Sequence, residues 1–143
     1  MPQMEYLVLA EYIRQDAGVT HIMAVGIDTF TIPADRLPAR VGLSALARVS
    51  FDLTDQTGVE HDVSLIFRGA EGVELLRLTQ RIPTPPPQPG VPRHWRTGAH
   101  LIFRFALPIP SHGNDYRLEV IMDDDPRLSR SLDVRAVAPD GGA

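Results

Sequence analysis

Leu46 to Phe67 run LARVSFDLTDQTGVEHDVSLIF. Ala47, Val49, Phe51 and Leu53 alternate with Arg48, Ser50, Asp52 and Thr54 until Asp55-Gln56-Thr57-Gly58 interrupts, and Val59, His61, Val63, Leu65 and Phe67 resume the pattern. Successive side chains of a strand point to opposite faces, so this reads as a half-buried β-hairpin written in period two. One apolar face needs a second apolar layer to cover it, which calls for a sandwich or a barrel.

Downstream, Gly69-Ala70-Glu71-Gly72 turns the chain into a third partner over Val73 to Ile82, where Leu75, Leu76 and Thr79 would also suit a short helix face. Pro83, Pro85, Pro86, Pro87, Pro89 and Pro92 then exclude a ladder-forming strand, because proline has no N–H to donate. The segment 83–93 reads as a stiff surface bridge between two sheets, or else as a docking site for a partner. Ala99, Leu101, Phe103, Phe105 and Leu107 form the cleanest alternation of the chain and predict a core strand. Tyr116, Leu118, Val120 and Met122 give another inward row, Asp123-Asp124-Asp125-Pro126 a tight acidic turn, and Leu132, Val134 and Ala136 the last strand.

Upstream, Tyr6, Val8, Ala10 and Tyr12 fall on one face of an extended run and Leu7, Leu9 and Ile13 on the other. Both faces are apolar, as in a strand covered on both sides. Gln15 to Gly18 turns the chain into a second such strand over Val19 to Phe30, and Thr31 to Gly42 is a crossing loop with one helical turn near Ala34 to Leu37. The expected fold is all-β: an antiparallel two-layer β-sandwich of immunoglobulin-like or jelly-roll type with about eight strands. It occupies residues 1–138 as one domain, followed by a flexible tail over 139–143.

A chain of 143 residues is long enough to bury roughly two thirds of its unfolded surface without staples. It has no cysteine, which excludes disulfides and thiolate chemistry and suits a reducing compartment. With no charged leader and no long apolar run, the expectation is a cytoplasmic protein off the membrane. All 14 basic side chains other than histidine are arginine and the net charge is −4, which argues against a nucleic-acid partner.

The segment His112-Gly113-Asn114-Asp115-Tyr116-Arg117-Leu118-Glu119-Val120 is similar to the start of a late strand in immunoglobulin-like sandwiches. There a tyrosine hydroxyl bonds back to the backbone at the sheet corner. The whole chain also resembles a family of small bacterial proteins of unknown function that begin with a two-strand segment and end with this tyrosine strand and an acidic hairpin. That resemblance implies no activity and supplies no catalytic residues.

Candidate chemistry is sparse. His61, His94 and His100 could converge on a metal as in a hydrolase, although no helical pair or finger spacing is present. Asp115, Asp123, Asp124 and Asp125 are the candidate calcium ligands, against the simpler reading of an aspartate-rich turn. Trp95, the single tryptophan, reads as a plug at the sandwich end or, with Arg93 and Arg96, as a contact patch. No G-x-S-x-G turn or phosphate-binding glycine loop occurs. The expectation is a non-catalytic protein without cofactor that works through protein–protein contacts, by self-association as a homodimer or as a subunit of an assembly.

Overall fold

Alternating apolar residues fold as extended strands wherever the sequence pattern is cleanest. In a computed structural model, described over residues 1–139 except Gly18, Ala24, Gln56, Pro87, Gln88, Val91, Arg93 and His94, there are ten strands. They are β1 (Gln3–Ala10), β2 (Tyr12–Asp16), β3 (Val19–Met23), β4 (Thr29–Thr31), β5 (Ala39–Phe51), β6 (Glu60–Arg68), β7 (Glu74–Pro83), β8 (Thr97–Ile109), β9 (Gly113–Met122) and β10 (Ser129–Val137). The helical turn expected near Ala34 is a single 3₁₀ turn over Ala34–Arg36. Among the described residues no helix is long and apolar enough to cross a membrane.

The strands build a three-stranded sheet in the order β1-β5-β8 and a five-stranded sheet in the order β4-β10-β9-β6-β7. Ala45, Ala47, Val49 and Phe51 of β5 and Leu101, Phe103 and Leu107 of β8 close on Val63, Leu65 and Phe67 of β6 and Leu118, Val120 and Met122 of β9 in one core. Each such fully buried large side chain contributes about 1.5–3 kcal/mol over its exposed state, which is what holds the two layers together. The fold is therefore an all-β two-layer sandwich.

Four expectations need correction. The 46–67 stretch is not a hairpin: β5 pairs with β1 and β8, whereas β6 pairs with β7 and β9, so the chain passes from one sheet to the other between Phe51 and Glu60. Period two is the same whether two strands lie side by side or face each other across the roughly 10 Å between layers. The long first run breaks at Glu11 into β1 and β2, and the second, over Val19 to Phe30, breaks into β3 and β4. Ten strands thus replace eight. Finally, β4 runs parallel to β10 in a sandwich otherwise paired antiparallel.

Other expectations hold. Residues 74–83 form a strand antiparallel to β6, not a helix, although Pro83, expected outside any ladder, ends that strand opposite Glu60. The proline-rich segment leaves β7 of one sheet and enters β8 of the other, as a bridge between layers must. The Tyr116 hydroxyl donates to the Ser111 carbonyl at 2.6 Å and accepts from the Ser111 amide at 3.3 Å, while its ring stacks on Phe67 at 5.4 Å. This is the corner bond that the immunoglobulin-like resemblance implied.

Candidate functional site

Strands β2 and β3 pair only with each other and form a hairpin arm outside both main sheets. An isolated two-stranded hairpin is marginal in water, so the arm needs an anchor. Ile13 supplies it: fully buried, it packs with Ala10 and Leu46 and against Tyr6, Val8 and Ile102 on the outer face of the three-stranded sheet. The Arg104 guanidinium adds a hydrogen bond to the Ile13 carbonyl at 3.0 Å and lies 5.8 Å from the centre of the Tyr12 ring. This explains why both faces of the first run are apolar: Leu7 and Leu9 enter the main core, whereas Tyr6 and Val8 lie under the arm.

The rest of the arm is uncovered. Tyr12, Val19, Ile22, Met23 and the adjacent Val25 are 38–61 % exposed, a concentration of apolar surface within fourteen residues. Scattered single apolar residues are normal on a surface, but clustered ones mark contact sites. The turn residues Gln15 to Gly18 between two apolar runs made the hairpin legible in the sequence. Its separation from the main sheets was not.

The predicted contact residues divide. Trp95 does not plug the sandwich: it is 58 % exposed, two residues before β8 starts at Thr97. Arg96 turns inward upon its own chain, donating to the Ser50 hydroxyl at 2.8 Å, the Ser50 carbonyl at 3.0 Å and the Met1 carbonyl at 2.6 Å, and lying 3.5 Å from Asp52. Arg93 lies outside the described residues, as does His94.

Three of the four candidate calcium ligands take separate partners, and the fourth lies apart. Asp123 Oδ2 meets His61 Nδ1 at 2.6 Å and its Oδ1 accepts the Asp62 amide at 3.0 Å. Asp124 lies 3.8 Å from Arg77, and Asp125 accepts two side-chain hydrogen bonds from Arg127, which hold its carboxyl below the ordinary 3.8. Asp123 and Asp124 both sit at φ 53, and the Asp125 amide bonds the Met122 carbonyl at 3.0 Å. These are the marks of a tight turn whose central residues are left-handed, a conformation aspartate tolerates, within the longer β9–β10 connection that Met122 and Leu128 close. Asp115 stands elsewhere, lining an open cleft of about 530 Å³ with Arg68, Glu71, Arg117 and Asp133.

His61 and His100 are likewise apart, on strands of different sheets. His61 bonds Thr84 Oγ1 at 2.8 Å through Nε2 and its ring lies tilted against Phe51 at 5.5 Å, so it ties the start of β6 to the β9–β10 turn and to the beginning of the proline-rich bridge. His100 lies on the outer face of the three-stranded sheet in a row with Tyr6 and Arg48, which stand opposite one another across the three strands. Its Nε2 is 2.8 Å from the Tyr6 hydroxyl and 3.4 Å from Arg48, whose guanidinium pairs with Glu5. Partial burial and the Arg48 charge lower the His100 pKa from 6.5, with Glu5 opposing them. Gly98 makes room for this arrangement: a Cβ there would come 2.3 Å from Arg48 Nη2. Among the described residues no group of three or more His, Asp or Glu side chains is placed to hold a metal ion.

Fold and surface together define a two-layer β-sandwich carrying an apolar hairpin arm. The chain belongs to a family of unknown function, DUF6941, whose model matches residues 5–135. No curated protein matches the sequence.

Proposed function

We propose that this protein is a non-catalytic β-sandwich that acts through protein–protein contacts, either by self-association or as a subunit of a bacterial assembly in the cytoplasm. The observation that carries the reading is the arm, where Tyr12, Val19, Ile22, Met23 and Val25 expose apolar surface on an element held to the sandwich largely by Ile13. Exposed Trp95 is a second, smaller contact feature of the kind that anchors interfaces. The cysteine-free sequence supports a reducing setting.

Within this reading the sandwich is immunoglobulin-like. Strands β1, β5 and β8 take the places of A, B and E, and β6, β7, β9 and β10 those of C, C′, F and G. The Tyr116 corner falls at the start of the F-like strand. Fold alone assigns no role, so the surface carries the argument.

Size-exclusion chromatography with light scattering at tens of micromolar tests the proposal. The native chain is expected to run as an oligomer and the double variant Val19→Glu, Met23→Glu as a folded monomer. A native monomer that also finds no partner in its assembly would refute it.

A further inference from the structure

Edge strands expose unpaired N–H and C=O groups, and sheets protect them by shortness, charge or cover. Here β4 has only three residues, β7 carries Glu74, Arg77 and Arg81, and the Ile102 carbonyl of β8 accepts the Gln80 amide from the facing sheet at 2.8 Å. The free edge of β3, Val19-Thr20-His21-Ile22-Met23, has no proline, no carboxylate and no arginine.

The hydrogen bonds of the arm show which backbone groups that edge presents. The Glu11 amide donates to the Met23 carbonyl at 3.1 Å, so Met23 turns its backbone toward β2. Alternation along an antiparallel strand turns His21 and Val19 the same way and leaves the N–H and C=O groups of Thr20 and Ile22 pointing outward. The Ile13 carbonyl, opposite Ile22 in the register, faces away from β3 toward Arg104, as the same alternation requires.

We infer that β3 pairs with β3 of a second copy of this chain, antiparallel about a two-fold axis at His21, giving a four-stranded intermolecular sheet. In that register Thr20 meets Ile22 of the partner copy and exchanges both backbone hydrogen bonds with it. Val19 comes opposite Met23 of the other copy. Since Tyr12 already stands opposite Met23 within the arm, Tyr12, Met23 and the incoming Val19 form one apolar row, and symmetry makes a second. The pairing is isologous, so it closes at two copies instead of growing into a filament. Two chains of net charge −4 meet on a strand without a carboxylate, which spares them like-charge contact at the joint. The inference rests on the self-association half of the proposed function and names its surface.

A single thiol tests it in the full-length chain, which has no cysteine of its own. His21→Cys places two thiols across the axis in a non-hydrogen-bonded pair about 4.5 Å apart at Cα, within the roughly 4.4–6.8 Å that a disulfide spans. Under mild oxidation at tens of micromolar, most of the His21→Cys protein is expected as a reducible dimer, and Val73→Cys, on an exposed turn in a distant part of the chain, as monomer. Light scattering on the unmodified protein runs in parallel. A native dimer whose His21→Cys form does not cross-link overturns this pairing but leaves self-association standing. A native monomer overturns both.

Discussion

Replacing Ile13 with alanine should release the arm without unfolding the sandwich. Ile13 is fully buried, yet its neighbours Ala10, Leu46, Tyr6, Val8 and Ile102 form a cluster separate from the main core. The substitution removes three carbons, worth about 2.4 kcal/mol at ~0.8 kcal/mol each before any cavity term. With tenfold per 1.4 kcal/mol, that is about a fiftyfold shift in the equilibrium for undocking the arm. The hairpin is marginal once undocked, so its amides should exchange with solvent. Hydrogen exchange read by mass spectrometry on Ile13→Ala should therefore show faster exchange, by about that factor, in peptides covering residues 9–25. Peptides from β6 and β9 should keep their native rates. Equal acceleration in all peptides would mean that Ile13 belongs to the global core, and unchanged arm exchange would mean that it anchors nothing. Either result refutes the reasoning.

Three further outcomes are expected. Tyr116→Phe keeps the stack on Phe67 but loses both hydrogen bonds to Ser111, so denaturant melts should show a loss of about 1–1.5 kcal/mol; an unchanged midpoint would deny the corner bond any net contribution. Because the His100 pKa is lowered in the folded protein, the unfolded chain binds more protons there below pH 6.5, and stability from this group falls as pH drops through the folded value. His100→Gln should therefore show a shallower rise in stability from acid toward pH 6.5, and identical slopes in native and variant would contradict it. Millimolar calcium should leave the melting temperature unchanged, since Asp123, Asp124 and Asp125 each face a different partner; an upward shift would revive the acidic turn as an ion site.

The sequence made strands legible wherever one face was apolar and the other polar, as in β8 and β9, because that contrast is what burial on one side produces. Neighbour relations were not legible. Nothing in the alternation of 46–53 and 59–67 distinguishes a hairpin from an arch between layers. The arm was hidden for a related reason: Ile13 and Leu9 look alike in sequence, although one covers the outside of a sheet and the other fills the core. For Trp95 the sequence left plug and contact patch open, because aromatic bulk suggests burial, whereas its position two residues before the start of β8 leaves it 58 % exposed. The separation of His61 from His100 follows from strand parity and sheet membership, and only the first of these can be read from a single chain.

The pairing of β4 with β10, and of β1 with β5, sets an order on folding during synthesis. Strand β1 can find its neighbour once residues 44–50 are made, but β4 must wait for residues 135–137, more than a hundred positions after it. Until then β4 has no strand to pair with, and the apolar arm lies between it and β1 in the chain. Truncations that stop before β10 should therefore leave this early region open to proteases and chaperones.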